Sequence, residues 1–237
     1  MNPASSGENV VIMDNVTFGE NVTLGNNVII YEGTIIGDNV IIQDQVVIGK
    51  QPTRAKNSIL PEVKKLPHAV IGAGCTIGTS SIIYANAKLG EEVFVADLAT
   101  IRERVEIGMR TIVGRGVAVE NDCKIGEKCK LETNCYITAY SNLGDYVFVA
   151  PGVITTNDNY MARSKERYDK FKGITIKDGG RIGANSTILP GKVIAEDAAV
   201  GAGSVVTKDV NKEELVVGSP AKKLRNVPEA QLLRNQE

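Results

Sequence analysis

Aliphatic or aromatic residues recur at every sixth position along most of the chain, in three runs. The first run is Ile12, Phe18, Leu24, Ile30, Ile36, Ile42 and Ile48; the second is Ile71, Ile77, Ile83, Leu89, Val95, Ile101, Ile107, Val113, Val119, Ile125, Leu131, Ile137, Leu143 and Val149; the third is Ile182, Ile188, Ile194, Val200 and Val206. Neither an α-helix nor the simple alternation of a strand has this period. A six-residue repeat is typical of a parallel β-helix, in which each unit supplies one short strand and one turn. The pattern therefore predicts an all-β protein whose strands stack in triangular coils at about 4.8 Å.

A second inward-facing position follows four residues after each core residue and favours small side chains. It is occupied by Val22, Ala87, Val105, Val117, Cys75, Cys123, Cys129 and Cys135. The four cysteines are therefore expected to be reduced and buried, acting as small apolar residues. Their spacing matches no zinc motif, and a disulfide framework would distort the coils, so neither metal binding nor thiol catalysis is expected.

Two segments interrupt the repeat, at 51–69 and 157–175, and both are predicted to be external loops. Loops of this length in a regular solenoid are usually functional. The coil domain is expected to span residues 1–210. Residues 211–237 are expected to form a C-terminal extension with a short helix beginning near Pro228, since proline suits a first helical turn.

In the second run, the residues that follow the strands sort into three stacked corners. We call them the glycine corner (Gly72, Gly90, Gly108, Gly126, Gly144), the mixed corner (Gly78, Ala96, Gly114, Glu132, Ala150) and the polar corner (Tyr84, Arg102, Glu120, Thr138, Thr156). The glycines of the first are expected to adopt positive φ in tight turns.

The polar corner, with the strand that leads into it, is the predicted functional edge. Arg102 and Glu120 lie one coil apart and are expected to form an ion pair. Asp97 and Glu103 flank one strand, from which both could face a ligand. A solvated, salt-bridged edge that only keeps the protein soluble is the alternative interpretation.

Bulk composition narrows the function classes. The chain has 237 residues, 43% of them hydrophobic, and a formal net charge of −1, which gives no overall attraction to nucleic acid. The first residues lack the pattern of a signal peptide, and no apolar stretch is long enough to span a membrane, so a soluble cytoplasmic protein is expected. The single histidine, His68, is interpreted as a loop residue outside the reaction.

Three features of the chain carry a resemblance to a known family: the repeat, VGAGSVVTKDV at 200–210 and VVGSPAKKLR at 216–225. The chain resembles the hexapeptide-repeat acyltransferases, which transfer acyl groups from acyl-CoA. Left-handed winding is implied by this resemblance alone, because general crossover rules favour right-handed turns. Within the family, ADLATIRERVEIG, GRGVAVEN, TNCYITAY and TTNDNYMAR look most similar to sugar nucleotide N-acyltransferases, such as that of the anthrose pathway.

The resemblance implies a homotrimer with active sites between adjacent subunits. It places the acyl-CoA arm along backbone near Ala184 and Ala202 on the late coils. The late-coil residues expected to contact acyl-CoA are Ala184, Ala202, Lys208, Ser219, Pro220 and Lys222. Asn157, Asp158 and Asn159 begin the second loop, where the polar corner meets the donor, and are expected to contact the cofactor or the substrate.

The coils carry no histidine, whereas many members of that family use one as general base. An amine needs less help than a hydroxyl, so Asp97 and Glu103 are predicted to hold a sugar amine that attacks the thioester directly. The predicted substrate-binding residues are Tyr84, Arg102, Arg115, Glu120, Asn121 and Tyr136. The basic residues Arg54, Lys56, Lys64 and Lys65 could reach the diphosphate of a nucleotide-linked sugar, or could only keep their loop soluble.

Two other functions stay open on the sequence. One is acyl transfer to a different acceptor, such as an amino acid, a sugar hydroxyl or a lipid precursor; the need of a hydroxyl for a general base argues modestly against O-acylation. The other is a non-catalytic trimeric scaffold. No metal is expected in any of them.

Overall fold

The chain folds as a parallel β-solenoid of about 11 turns that matches a left-handed β-helix, which confirms the predicted fold. The computed structural model describes residues 2–56 and 64–236. Each turn of the solenoid contains three short strands joined by tight turns. Successive turns bond through parallel strand pairs such as Ile82↔Thr100 and Thr100↔Ala118.

The strands are, in chain order, β1 (Ser5–Ser6), β2 (Val11–Ile12), β3 (Thr17–Phe18), β4 (Thr23–Leu24), β5 (Ile29–Ile30), β6 (Ile35–Ile36), β7 (Ile41–Ile42), β8 (Val47–Lys50), β9 (Val70–Ile71), β10 (Thr76–Ile77), β11 (Ile82–Tyr84), β12 (Lys88–Leu89), β13 (Phe94–Val95), β14 (Thr100–Ile101), β15 (Glu106–Ile107), β16 (Ile112–Val113), β17 (Ala118–Val119), β18 (Lys124–Ile125), β19 (Lys130–Leu131), β20 (Tyr136–Ile137), β21 (Asn142–Leu143), β22 (Phe148–Val149), β23 (Ile154–Thr155), β24 (Thr175–Ile176), β25 (Arg181–Ile182), β26 (Thr187–Ile188), β27 (Val193–Ile194), β28 (Ala199–Val200), β29 (Val205–Val206), β30 (Glu214–Val217) and β31 (Lys222–Asn226).

Every third strand along the coil belongs to the same sheet. Sheet A runs from β1 through β4 and β7 to β28 and ends in β30 and β31; sheet B runs from β2 to β29; sheet C runs from β3 to β27. The mixed corner follows sheet A, the polar corner follows sheet B and the glycine corner follows sheet C. β30 and β31 form an antiparallel hairpin at the C-terminal end, which the repeat did not predict.

The core residues of the repeat fill the inside of the coil. Ile30, Ile77 and Ile137 are fully buried, and the four cysteines are buried as predicted. Ile12 is the exception among the predicted core residues, with 42% of its surface exposed, because it lies in the N-terminal coil of the solenoid. A continuous column of aliphatic side chains therefore runs through the stack.

The predicted positive φ of the glycine corner is wrong. The left-handed residue lies two positions later, at Gly74, Glu92, Arg110, Lys128 and Tyr146. The corner glycines are needed for a different reason, which is the close approach of the next coil. A Cβ on Gly72 would lie 2.5 Å from the carbonyl carbon of Gly90, and one on Gly108 would lie 2.6 Å from that of Gly126.

The two loops leave the coil where the repeat is interrupted. The first connects β8 to β9 over residues 51–69, of which 57–63 lie outside the described residues. The second connects β23 to β24 over residues 156–174 and contains a 3-10 helix, Lys165–Asp169. The described residues of both loops lie outside the coil, apart from short stretches where each loop joins it.

The predicted C-terminal helix is present as two single 3-10 turns, Glu229–Gln231, which begins after Pro228, and Leu233–Asn235. Val227 and Leu232 are buried where this segment packs against the late strands of sheet A. Across residues 2–56 and 64–236, the structure contains no helix with the length and apolar character needed to cross a membrane.

Candidate functional site

The polar corner carries a network of charged side chains built on β14 and β17. The Arg102 side chain donates from Nε to Glu103 Oε2 at 2.9 Å and approaches Glu120 Oε2 with Nη1 at 3.7 Å. Its guanidinium lies 4.7 Å from the ring centroid of Tyr84, one coil earlier. The predicted ion pair between Arg102 and Glu120 is therefore confirmed, and Tyr84 joins the same cluster.

Glu103 lies at the centre of this network and is only 3% exposed. Besides its bonds with Arg102, its Oε1 lies 3.9 Å from Nη2 of Arg104. Arg104 in turn binds Asp122 through two hydrogen bonds of 2.6 and 2.8 Å. A buried carboxylate that bonds one arginine and lies beside a second fixes the positions of the arginine side chains. This geometry favours a positioning role for Glu103, whereas its predicted contact with a substrate amine stays a prediction.

The ionisation of these groups follows from their contacts. Burial tends to raise the pKa of Asp122, but hydrogen bonds from Arg104 and Asn121 outweigh it and hold that pKa below its ordinary value. The pKa of Tyr136 is raised, first by burial and then by the negative charge of Glu120. Tyr136 on β20 therefore keeps its hydroxyl proton at neutral pH and can act as a hydrogen-bond donor.

Asp97 lies at the mixed corner, on the other side of β14 from Glu103. Its Oδ1 accepts a hydrogen bond from the Thr79 backbone N–H at 2.9 Å, one coil earlier. Asp38, Asp44, Asp145 and Asp178 make the same kind of bond to an earlier coil. This position therefore has a structural task of its own, the capping of a neighbouring turn.

The two predicted catalytic carboxylates are thus separated by the width of sheet B. Between them the outward side chains of that sheet are Ile82, Thr100, Ala118, Tyr136 and Ile154. Arg115 is exposed one coil after Asp97 on the mixed corner, and Asn121 donates to Asp122 at 2.6 Å on the polar corner. The predicted acceptor residues therefore divide between the two edges of one outward face.

The predicted cofactor residues fall into three groups. Ala184 and Ala202 stack on the mixed corner, where the Gly203 N–H donates to the Ala184 carbonyl at 2.8 Å. Lys208, Pro220 and Lys222 line one cavity of about 290 Å³ between the last coil and the C-terminal hairpin, next to exposed Ser219. Two predicted phosphate-binding lysines are therefore brought to one site.

Asn157, Asp158 and Asn159 form the third group and begin the second loop. The Asp158 carboxylate accepts hydrogen bonds from the backbone N–H groups of Tyr160 and Ala162 and from Arg167. The pKa of Asp158 is lowered, chiefly by the backbone N–H of Ala162. The structure thus shows Asp158 organising its loop, and the contact of this group with a cofactor stays a prediction.

His68 is exposed and lies near the start of the polar corner. It lines a cavity of about 310 Å³ together with Tyr31, Glu32, Gln51 and Lys65. The Lys65 ammonium binds Glu32 at 2.5 Å, and Arg54, Lys56 and Lys64 are exposed. The sequence did not predict these neighbours of His68, because a six-residue period does not indicate where a loop folds back onto the polar corner.

Arg104 and Asp122 are the main members of the polar network that the predicted site residues omitted. Their separation by one complete coil was a usable signal, since it places the two side chains one strand spacing apart. Within the described ranges, no group of three or more histidine, cysteine or acidic side chains is arranged to hold a metal ion.

Comparison with known proteins agrees with the repeat. The family profile "Bacterial transferase hexapeptide (six repeats)" matches residues 7–34 and 18–50. A second, "Hexapeptide repeat of succinyl-transferase", matches residues 124–139 and 173–208. These matches cover coils at both ends of the solenoid.

Several curated relatives align with more than half of the chain. A Schizosaccharomyces pombe protein, whose name describes it as an acetyltransferase, is 33% identical over 64% of this chain and 72% of its own length. The bifunctional protein GlmU of Prochlorococcus marinus is 31% identical over 66% of this chain, which spans only 36% of GlmU.

Among solved structures, LpxA from Acinetobacter baumannii superposes with a TM-score of 0.62 over 92% of this chain and 72% of LpxA, at 18% identity. That likeness shows the shared fold. The identity to the yeast protein, together with the matched repeats, shows more: the chain belongs to the hexapeptide-repeat acyltransferase family.

Proposed function

We propose that this chain is an acyl-CoA-dependent N-acyltransferase that acylates the amino group of a nucleotide-linked amino-deoxy sugar. The observation that carries the proposal is the outward face of sheet B. It is bordered by the Asp97 carboxylate at one edge and by the Arg102–Glu103–Arg104 network at the other. An amino sugar presents both a cationic ammonium and hydroxyl groups, for which this arrangement offers carboxylate and donor partners.

The reaction proposed is direct attack of the amine on the thioester. Asp97 Oδ1 bonds Thr79, and no hydrogen bond to Asp97 Oδ2 occurs among the described residues, so that oxygen can accept a proton from the ammonium. The new N–C bond forms as the C–S bond breaks, and the second proton of the amine passes to the departing thiolate, whose thiol has a reference pKa of about 8.5. Asp97 then releases the first proton to solvent. A backbone N–H beside the thioester would stabilise the oxyanion by about 3 kcal/mol.

The arginine network would act on the acceptor rather than on the donor. Arg102 is held by Glu103 and Glu120 with its plane over Tyr84, so its position is fixed before any substrate arrives. A prearranged donor group loses little conformational freedom when the substrate binds. Tyr136, with its raised pKa, would donate to a sugar oxygen.

The donor is proposed to lie at the cavity lined by Lys208 and Lys222, with its pantetheine arm along the backbone near Ala184 and Ala202. Lysine ammonium groups suit the phosphates of acyl-CoA. The active unit is proposed to be a homotrimer in which the face of sheet B meets a second copy. The exposed basic residues of the first loop would lie towards the nucleotide diphosphate.

The proposal is tested by mass spectrometry of products from dTDP- and UDP-linked amino sugars offered with acetyl-CoA and longer acyl-CoAs. We expect an amide product from at least one amino sugar and none from the matching hydroxyl sugars. Product formed only on hydroxyl groups or amino acids would replace the proposal with one of the alternative acceptors.

A thermal-shift measurement with CoA distinguishes an enzyme from a scaffold, since a ligand that binds only the native state raises its stability. Stabilisation should be lost in the double variant Lys208→Gln/Lys222→Gln. No stabilisation of the unmodified protein by CoA would favour the scaffold.

A further inference from the structure

A second site is indicated by a cavity far from sheet B. The cavity measures about 460 Å³ and lies between the outward face of sheet A, the glycine corner and the C-terminal segment. Its charged groups are those of Lys128, Lys130, Arg181 and Asp197, and its aromatic rings are those of Tyr146 and Phe148. Its roof is formed by Gln231, Leu233 and Gln236. A volume of this size is typical of small-molecule sites.

The cavity has an excess of positive charge. In the described part of the chain, none of Lys128, Lys130 and Arg181 lies within ion-pair distance of a carboxylate, while fourteen other contacts reach that distance. The one carboxylate of the lining, Asp197, accepts a hydrogen bond from the Leu233 backbone N–H at 2.8 Å and thereby holds the roof. Lys128 donates to the Tyr146 hydroxyl at 2.8 Å.

Arg181, in the lining of the cavity, has hydrogen-bond donors that lack acceptors. Its Nη1 donates to Gln231 Oε1 at 3.3 Å, but its Nε and Nη2 are buried and have no hydrogen-bond partner in the described structure. A guanidinium cannot lose its proton in a protein, so a desolvated arginine without a partner is costly. An anion bound in the cavity would provide the missing negative charge. Its oxygen atoms would also provide the missing acceptors once the Arg181 side chain turns towards them.

The aromatic rings indicate what else the ligand carries. Tyr146 is exposed and Phe148 is half-buried, and both stand beside the cations. A smaller cavity of about 220 Å³ adjoins the first through Phe148, Arg181 and Gln231, and adds Arg225 and Pro228. Aromatic faces next to cationic groups suit a planar ring attached to phosphate.

The position of this cavity separates it from the proposed reaction. It lies on sheet A and on the glycine corner, which is the corner opposite sheet B in a three-sided coil. The residues proposed for acceptor and donor lie on sheet B, on its two corners and at the last coil. We propose that the cavity between sheet A and the C-terminal segment is a second ligand site, which binds a nucleoside diphosphate or a closely similar phosphate-bearing compound with a planar ring.

Isothermal titration calorimetry of the full chain with ADP, UDP and pyrophosphate tests the site, with adenosine as the uncharged control. Arg181→Gln and, separately, Lys130→Gln should weaken binding of ADP by about tenfold or more, since a hydrogen bond to a charged group has about that worth. Lys124→Gln, which removes the same charge from the outward face of sheet C, should bind as the unmodified protein does.

The double variant Lys208→Gln/Lys222→Gln makes the result independent of the proposed function, because it alters only the proposed donor cavity. We expect it to keep the ADP binding that Arg181→Gln weakens, although its donor cavity no longer holds the ADP portion of CoA. The inference is overturned if the unmodified protein binds none of the three phosphates, if Arg181→Gln and Lys130→Gln bind ADP normally, or if the double variant loses the binding. The titration requires no acyl transfer, so failure of the proposed reaction leaves it interpretable.

Discussion

At the scale of single residues, the buried side chain four positions after each core residue ties one coil to the next. The thiols of Cys75 and Cys129 donate to the carbonyls of Gly90 and Gly144, each at 3.1 Å. The hydroxyls of Ser81 and Thr111 make the equivalent bond at 2.9 Å. This position therefore takes small side chains, and those with a hydroxyl or thiol can also bond the next coil.

Serine substitutions should have different effects on the free energy of unfolding at Cys129 and at Cys135. Cys129→Ser should change the free energy of unfolding by less than about 1 kcal/mol, since a hydroxyl can make the bond to Gly144. Cys135 is buried, and the only hydrogen bond found for its thiol in the described structure is with its own backbone. Cys135→Ser should therefore cost about 1–3 kcal/mol, the usual penalty for an unpaired buried hydroxyl. Urea unfolding measures both, and equal costs would contradict this distinction.

The cysteines also predict how stability depends on alkaline pH. Burial raises the pKa of Cys75 and Cys129 from 9.0 to about 11, and that of Cys123 and Cys135 to about 12. Between these values the native state binds more protons than the unfolded state, so the free energy of unfolding falls as pH rises above 9. The contribution is fully present below pH 9.

The decline should be smaller in Cys123→Ala than in the unmodified protein when the free energies of unfolding at about pH 7 and about pH 10 are compared. The comparison uses each protein as its own reference, because the substitution also leaves a small cavity. An equal decline in both proteins would show that Cys123 does not contribute to the alkaline loss.

At the scale of elements, the turns decide how closely the coils stack. The corner glycines allow backbone to approach backbone, and the residue two positions later takes the left-handed conformation. That residue is often asparagine, as at Asn9, Asn15, Asn21 and Asn27. Asparagine tolerates positive φ better than most residues. Close stacking and turn conformation are thus assigned to different positions in each turn.

Gly108→Ala tests the close approach. Its Cβ would meet the Gly126 carbonyl carbon at 2.6 Å, so the coils must move apart, at a cost of about 1–3 kcal/mol in unfolding free energy. Gly203→Asn is the matched control, because Gly203 has a φ of +68° and nothing lies within 4 Å of its Cβ position. Equal stability of Gly108→Ala and the unmodified protein in urea unfolding would contradict the packing argument.

The six-residue period predicted the sheets, the core and both loops because each depends on which side chains face inward. The left-handed position escaped prediction because it holds glutamate, arginine and lysine as well as glycine and asparagine. The C-terminal hairpin escaped because it follows the last repeat. Asp97 shows a different limit, because an aspartate that caps a turn and one that accepts a proton have the same sequence pattern. The glycine one coil earlier was a signal of capping: Gly78 lies beside Asp97 as Gly126 lies beside Asp145.

At the scale of the whole molecule, the three outward faces differ in character. Sheet A exposes Ile41, Phe94 and Ile112. Sheet C presents Lys88, Glu106 and Lys124, with an ion pair between the first two. Contiguous exposed apolar side chains are typical of surfaces that bury themselves against another protein. Because each copy in a ring of three uses two different faces, we expect the part of sheet A around Phe94 and Ile112 to pack against sheet B of the next copy.

Light scattering after size-exclusion chromatography should give a mass about three times that of the 25.4 kDa chain. Phe94→Glu should reduce the mass to that of a single chain, because a charge would be buried in the contact. Lys124→Glu on sheet C is the control and should stay trimeric. A single-chain mass for the unmodified protein would contradict the proposed assembly.

The central claim is that Asp97 takes part in acyl transfer as well as capping its neighbouring turn. Asp97→Asn separates the two roles, because an asparagine can still accept the Thr79 N–H, as Asn26 accepts that of Glu8 at 2.8 Å. Asp145→Asn makes the same change at a capping position on the glycine corner, away from sheet B. The decisive measurement is the rate of CoA release with an amino sugar acceptor: we predict a loss of about 100-fold or more in Asp97→Asn, with CoA binding retained, and a normal rate in Asp145→Asn. A normal rate in Asp97→Asn would contradict the account.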